Sequence, residues 1–414
     1  MRLSPPVNPI ALRTAARIRD QLVAGTPIDT ARFWGDVKSI SAPLVSVIEG
    51  KNDEREVTFL WRAAYPLLRV YLCLNRITDK NNVAKGMMEC LPGTDIWHLT
   101  LSLPASYCGS YTMVEIPLGT AEETISLLGS RFATLIGKAD PLNQTPRINV
   151  RGDTLESVLM LDSAPAQDEW ADNHACNGQF FTSEHRLAGQ SRRVRLYIPA
   201  VPVSQPLGLL VLTDGETWFN NVGVCAAIDA AIRRGRIPPL AVLGVDNLDE
   251  RERTAILGGR RELVCDIAER LLPAIHTEYQ ERQWVGRSLT VLAGQSLGGV
   301  TALMAARHAP DSFSLVLSHS PSMWWTPDSN SRPSHFGDND VSWVSEHVLY
   351  APSPSVRTHL CVGSLEGSTV SQVQLLHQQL LAAGVESHCC IYTGGHDYAW
   401  WRGALIDGLS MLNK

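Results

Sequence analysis

The 414-residue chain reads as an α/β protein: a C-terminal part built on a mostly parallel sheet, preceded by an all-β sandwich. Three observations predict this. From about residue 205 onward, short apolar runs ending in Gly, Ser or Asp alternate with helical stretches, the pattern of a parallel sheet covered on both faces. Between about 43 and 150, β-rich runs follow one another, broken by Asp, Asn, Pro and Gly, as in a sandwich. Between these parts, "GKADPLNQTPRIN" (137–149) is polar, carries two prolines and reads as a linker. The expected domains are therefore 1–150 and 151–414.

Each element has its own signal. Residues 9–35 have helical spacing and predict a short leading helix. "EVTFLWRA" (56–63), "LLRVYLCLN" (67–75), "IWHLTLSLP" (96–104) and "SYTMVEIP" (110–117) predict the sandwich strands. "ESVLMLD" (156–162) and "RRVRLYIPA" (192–200) are expected as a hairpin leading into the second domain. The parallel strands are expected at 208–215, 240–247, 289–296, 314–320, 359–364 and 388–395, with helices such as 222–235 and 371–384 between them. The second of these helices ends in Gly384, a C-terminal cap.

Composition narrows the function. A hydrophobic fraction of 44% against 19% charged residues indicates an ordinary globular protein. A net charge of -6 argues against a broad nucleic-acid surface, while a local basic pocket for an anionic ligand remains open. The N-terminus lacks the apolar core of a secretory signal, and no segment reaches the ~18 apolar residues of a membrane span. The expectation is a cytoplasmic protein without membrane partners. Nine cysteines, none in CxxC pairs with His, predict neither a zinc site nor a disulfide framework, and Cys361 and Cys389 read as buried free thiols.

"VLAGQSLGGV" (291–300) carries the chemistry. Gly294-Gln295-Ser296-Leu297-Gly298 fits G-x-S-x-G, follows an expected strand and precedes an expected helix, which is the context of a nucleophile elbow. Side chains at 294 and 298 would clash where strand and helix approach. The alternative is a structural turn serine. His396, in "YTGGHDYAWW" after the last strand, has the chain order expected of the base in an α/β-hydrolase fold. His319, at a strand end soon after the serine, is its rival and reads better as a structural or substrate-contact residue. Glu366, past a strand end in "HLCVGSLEGSTV", is the expected acid, to hold the imidazole through Nδ1–H. Asp397 is the competing carboxylate, and a Ser–His dyad with a solvated Glu366 is the other alternative. The backbone amide of Leu297, at a helix N-terminus, and that of Gly215 or Glu216, in "LTDGETWF" (212–219), are the expected oxyanion donors.

"DGETW" (214–218), "GQSLGG" (294–299), "SPSMWW" (320–325) and "GGHDYAWWR" (394–402) together resemble the enterochelin esterases of the cytoplasmic type. "EVTFLWR", "TDIWHLTLSLPASYCGSY" and "DPLN" extend the resemblance into the N-terminal half. It implies hydrolysis of the trilactone backbone of enterobactin and its glucosylated forms, the salmochelins, with release of iron in the cytoplasm. It implies no cofactor and no resident metal, since iron travels with the siderophore. A tris-catecholate calls for aromatic surfaces and guanidinium groups. Trp218, Trp324, Trp325 and Trp400 all follow expected strand ends on the serine's side, with Trp324 or Trp325 expected to face the substrate. Arg253 stands where the family carries an arginine and is the expected anion contact; its alternative is an ion pair with a neighbouring acid. No chemistry is assigned to Glu216. Two rival readings remain: a carbohydrate or feruloyl esterase of the same fold, and a non-catalytic siderophore-binding protein.

Overall fold

The computed structural model describes residues 9–25, 29–130, 132–151, 154–171, 175–328 and 331–413. It divides into two units, Met1–Pro165 and Ala166–Lys414. Among the described residues, no helix is long and apolar enough to cross a membrane.

The first unit opens with two helices, α1 (Pro9–Ala24) and α2 (Thr30–Ile40), where one was expected. Gly25 has φ +58°, a backbone that stops α1, and the Asp29 carboxylate caps α2 by accepting from the Arg32 amide. Eight strands follow: β1 (Leu44–Ile48), β2 (Lys51–Arg62), β3 (Leu67–Leu74), β4 (Glu89–Cys90), β5 (Ile96–Pro104), β6 (Cys108–Pro117), β7 (Ile148–Arg151) and β8 (Thr154–Met160). They form two sheets, β1-β2-β5-β4 and β3-β6-β8-β7. β2 shows why its run "VTFLW" is apolar on both faces. Phe59 meets Tyr111 of the other sheet edge to face, while Leu60 packs into the cluster of Ile18, Phe33, Trp34 and Val37 from the two helices. This is the expected β-sandwich.

Two expectations about the middle of the chain change. Residues 156–162 do not pair with 192–200. They form β8, which runs antiparallel to β6 with Tyr111 opposite Ser157. The segment 137–149 is not a linker between the units: Lys138 bridges Met113, and Asp140 is wholly buried, accepting from Tyr111 Oη and the Leu142 amide. Its polar residues satisfy each other inside the first unit, so prolines and polarity there mark an internal crossing. The division falls at 165/166 and not at 150.

The second unit holds an eight-stranded sheet: β9 (Gln179–Leu187), β10 (Gln190–Ile198), β11 (Gly208–Leu212), β12 (Leu240–Val245), β13 (Thr290–Gln295), β14 (Leu315–His319), β15 (Arg357–Gly363) and β16 (Ser387–Tyr392). The order is β16-β15-β14-β13-β11-β12-β10-β9. β11 to β16 run parallel, and β9–β10 form an antiparallel hairpin at one edge, with β10 beside β12. β11, β12 and β13 are buried along their whole length, as strands covered on both faces must be. The chain steps from β11 to β12 on one side, then crosses back to place β13 on the other. That reversal opens a crevice at the carboxyl ends of β11 and β13, where open α/β sheets place their ligands.

Candidate active site

Ser296 stands one residue past β13, at the crevice. Its backbone has φ 57° and ψ -119°, a region that L-residues rarely occupy and that is held only where surroundings enforce it. Three enforcements are visible. The Ser296 amide donates to His319 O at 2.9 Å; its carbonyl accepts from the Gly299 and Ser322 amides, each at 3.1 Å. The glycines are sterically required: a Cβ on Gly294 would lie 2.3 Å from Gly298 O, and one on Gly298 would lie 2.2 Å from Thr213 Oγ1. The elbow then turns directly into a helix (Leu297–His308), whose first residue is Leu297. Leu297 N–H is one of the helix's N-terminal amides, which have no intrahelical partner.

The register of β11 against β13 pairs Leu212 with Ala293, and Gly215 follows three residues past the end of β11. A side chain at 215 would strike the Gly244 and Val245 backbone at 2.6–2.8 Å, so the loop after β11 can lie against β12 only with glycine there. Asp214, just before it, has φ 56°.

His396 and Glu366 come together although 30 residues separate them: His396 Nδ1 lies 2.6 Å from Glu366 Oε2. Glu366 reaches this position because the chain turns back after β15. Its other oxygen accepts from the Gly363 amide at 2.8 Å and from Ser320 Oγ at 2.5 Å. Burial pushes the Glu366 carboxyl up, but His396 and these hydrogen bonds outweigh it and hold the group below its ordinary range. The carboxylate is buried while the His396 side chain keeps one-third of its surface exposed. The competing Asp397 turns away: it caps the last helix (Tyr398–Leu409) by accepting from the Ala399 amide at 2.8 Å. His319, the rival histidine, is wholly buried, and neither ring nitrogen has a partner. Burial and nearby His359 lower it to about 3, so it stays neutral inside the sheet.

The expected aromatic wall is corrected. Trp218 is buried and donates Nε1–H to Gln295 Oε1 at 3.1 Å. Trp325 is buried and meets Trp343 edge to face, with Gly258 and Gly259 pressed against its ring. Trp400 stacks on Tyr392 at 4.8 Å and donates to Gly395 O. Each fills core space that a large flat ring fills well, and only Trp324 of the four is partly exposed. Arg253 takes the ion-pair alternative. Its Nε donates to Asp214 Oδ1 at 2.5 Å and its Nη2 to Oδ2 at 3.2 Å. Burial disfavours its charge, but the Asp214 carboxylate outweighs that and raises the guanidinium above its ordinary value.

A set of polar contacts around the serine was not anticipated. Ser322 Oγ lies 3.3 Å from Ser296 Oγ. Gln295 Nε2 donates to Asp214 Oδ2 at 2.7 Å and to Tyr398 Oη at 2.6 Å, and Asn247 Nδ2 donates to Asp214 Oδ1 at 2.7 Å. Asp214 is thereby saturated by one cation and two amides. Asn247 also donates to Glu216, which burial raises above the ordinary carboxylate range. The one sequence signal for this network was the run of strand-end polar residues in "LTDGE", "GVDN" and "GQS".

Comparison with known proteins gives the family. A family model described as "Putative esterase" matches residues 185–412, and one described as "Enterochelin esterase, N-terminal" matches 56–170. The chain is 65% identical to an iron(III) salmochelin esterase of Escherichia coli O6:H1, over 96% of this chain and 97% of that one. It is 30% identical to an iron(III) enterobactin esterase of Dickeya dadantii, over 92% of each. The enterobactin esterase from Shigella flexneri, solved in the presence of enterobactin, superposes with a TM-score of 0.75 at 26% identity, covering 92% of this chain and 97% of that one. The ferric enterobactin esterase from Salmonella typhimurium gives 0.75 at 25% identity, covering 89% and 96%. With the elbow, the strand order and matches across both units in agreement, the chain is an ester hydrolase and belongs to the enterochelin esterase family.

Proposed function

We infer that this chain hydrolyses the trilactone ester bonds of catecholate siderophores of the enterobactin and salmochelin type, and that it does so in the cytoplasm, freeing the iron they carry. The observations that support the reading are the His396–Glu366 hydrogen bond and the strained backbone of Ser296 past the end of β13. The 65% identity to an iron(III) salmochelin esterase supports the substrate class.

Ser296 Oγ attacks a lactone carbonyl while its proton passes to His396 Nε2. Glu366, ionised and buried, keeps the imidazole proton on Nδ1 and stabilises the imidazolium that forms. The amides of Leu297 and Gly215 stabilise the tetrahedral oxyanion. His396 returns the proton to the leaving serine hydroxyl as the ring opens, and water attacks the acyl-enzyme by the same route in reverse. Repeated rounds release 2,3-dihydroxybenzoylserine units. Trp324 offers a partly exposed ring to a catechol.

The test is mass spectrometry of products from enterobactin, a glucosylated analogue and feruloyl esters, run on wild type and Ser296→Ala. Wild type is expected to open the trilactones and leave feruloyl esters largely intact. Ser296→Ala is expected to bind trilactone but lose at least about 10⁴ in turnover. Near-normal trilactone opening by the variant removes the mechanism; feruloyl preference by wild type removes the substrate class.

A further inference from the structure

Glu366 is held on the side away from His396 by a residue that a triad does not need. Ser320 lies one residue past β14, fully buried, with φ 43°. Its amide donates to Cys361 O at 2.7 Å, which locks the backbone to β15. Its hydroxyl donates to Glu366 Oε1 at 2.5 Å. The direction of that bond is settled by a third group: Trp401 Nε1–H, a donor only, gives its proton to Ser320 Oγ at 2.8 Å. With the indole supplying a proton to the oxygen, the single hydroxyl proton is left for the carboxylate. The Trp401 ring also stands edge-on to His396, with centroids 4.8 Å apart. Trp401, Ser320, Glu366 and His396 therefore form a closed circuit drawn from the end of β14, the turn after β15, the loop after β16 and the last helix.

A non-glycine residue at φ 43° is disfavoured, and such conformations gather where function compensates for them. Here a glycine would suit the backbone and could not supply the hydroxyl. We propose that Ser320 is a positioning residue of the esterase reaction: its hydroxyl fixes the Glu366 carboxylate and tempers its charge, and so sets the orientation of His396 and the pH range in which the base works. Ser320 keeps its proton throughout; only Ser296 and His396 exchange one. The proposal rests on the Ser296–His396–Glu366 assignment made above.

Of the other ionisable side chains on the surrounding elements, Asp397 caps its helix, Tyr398 Oη accepts from Gln295, Tyr392 Oη donates to Asp407, which also pairs with Arg236, Arg402 donates to Gln167, and Arg357 donates to Met411 O. Burial lowers His319 on β14 and His359 on β15, burial raises the thiols of Cys361 on β15 and of Cys389 and Cys390 on β16, and His388 lies 3.4 Å from Glu386. Glu366 and His396 are the charged pair that the Ser320 hydroxyl adjoins. Removing one donor from Glu366 concentrates its negative charge and favours the imidazolium, which moves the acid limb of the pH profile to higher pH.

The experiment uses the full chain with Ser320→Ala, Ser320→Gly and Glu366→Gln, a p-nitrophenyl ester, fluorophosphonate titration of active sites, and thermal melts. For both Ser320 variants we expect kcat per titrated site to fall about 10- to 100-fold, KM to stay within about twofold, and the acid limb of kcat/KM to rise by about half a pH unit. Glycine suits φ 43°, so Ser320→Gly is expected to melt no lower than Ser320→Ala yet to lose the same activity. If kcat per titrated site stays within about twofold and the limb does not move, Ser320 is merely structural and the proposal is overturned. If Glu366→Gln retains full turnover, the triad assignment fails and the proposal falls with it. Collapse of Glu366→Gln beside intact Ser320 variants removes the proposal alone.

Discussion

Glu366 and Asp214 each sit just past the carboxyl end of a parallel strand, β15 and β11, and each is almost wholly buried, at 7% and 2% exposure. Their work differs because their partners differ. Glu366 spends one oxygen on an imidazole that is one-third exposed, and the other on a hydroxyl and an amide. Its charge acts through a group that can reach substrate. Asp214 spends both oxygens on Arg253, Gln295 and Asn247, so its charge is neutralised in place. It clamps the loop that carries Gly215 to the residue preceding the nucleophile. Burial and strand-end position are shared; the identity of the hydrogen-bond partner separates a triad acid from a scaffold carboxylate.

The largest expected effect tests that distinction directly. Glu366→Gln keeps the size but removes the charge and admits the wrong imidazole tautomer, and kcat is expected to fall on the order of 10⁴. Asp214→Asn is expected to lower kcat far less, about 10- to 100-fold, through a displaced Gly215 loop. Comparable kcat losses in the two variants, measured at matched folded fraction, would erase the comparison.

Stability should rank them in the opposite order. Asp214→Asn leaves the partly buried Arg253 guanidinium with only the exposed Glu250 carboxylate, 3.8 Å away, as counter-charge, a loss of up to about 3–5 kcal/mol on the scale of a buried pair that loses one partner. For a unit of this size that lowers Tm by about 6–20 °C. A scanning calorimetry trace with Asp214→Asn melting at or above Glu366→Gln would show that Arg253 does not depend on this partner.

A pH series sharpens the point. The Glu366 carboxyl lies below its ordinary value when folded. Its contribution to stability is therefore complete above the unfolded value, about 4.3, and is lost as pH falls through the lower folded value. The Tm gap between wild type and Glu366→Gln is expected to close as pH falls from about 4.3 through the lower folded value of the carboxyl. A gap that fails to narrow below about pH 4 would reverse the assigned sign.

The smallest effect is expected at the rival carboxylate. Asn caps a helix about as well as Asp, so Asp397→Asn should leave kcat within about twofold and Tm within about 3 °C. A collapse of turnover in steady-state assays would hand the acid's role to Asp397.

Much of this site was legible in the amino-acid order because its signals are local. G-x-S-x-G between an apolar run and a helical stretch specifies an elbow, since glycines are needed wherever strand and helix backbones close to van der Waals distance. The order of Ser296, Glu366 and His396 along the chain follows from parallel strands, whose carboxyl ends all emerge on one edge. Period and punctuation likewise placed all six parallel strands and, of the five sandwich strands between β2 and β6, all but the two-residue β4. What the order of residues could not decide was set by partners far away in the chain. Whether 156–162 joins the first unit or the second depends on β6 offering it an open edge. Whether a tryptophan after a strand faces solvent or core depends on what packs over it: Trp400 met Tyr392, Trp325 met Gly258 and Gly259, and Trp218 met Gln295. Arg253 looked available until the fold brought Asp214 to it across 39 positions, and Ser320 looked like any strand-end serine until Trp401, 81 positions away, supplied a proton to its oxygen. Such choices are made by the sum of burial and hydrogen bonding across non-neighbouring segments, and only the folded chain brings those segments together.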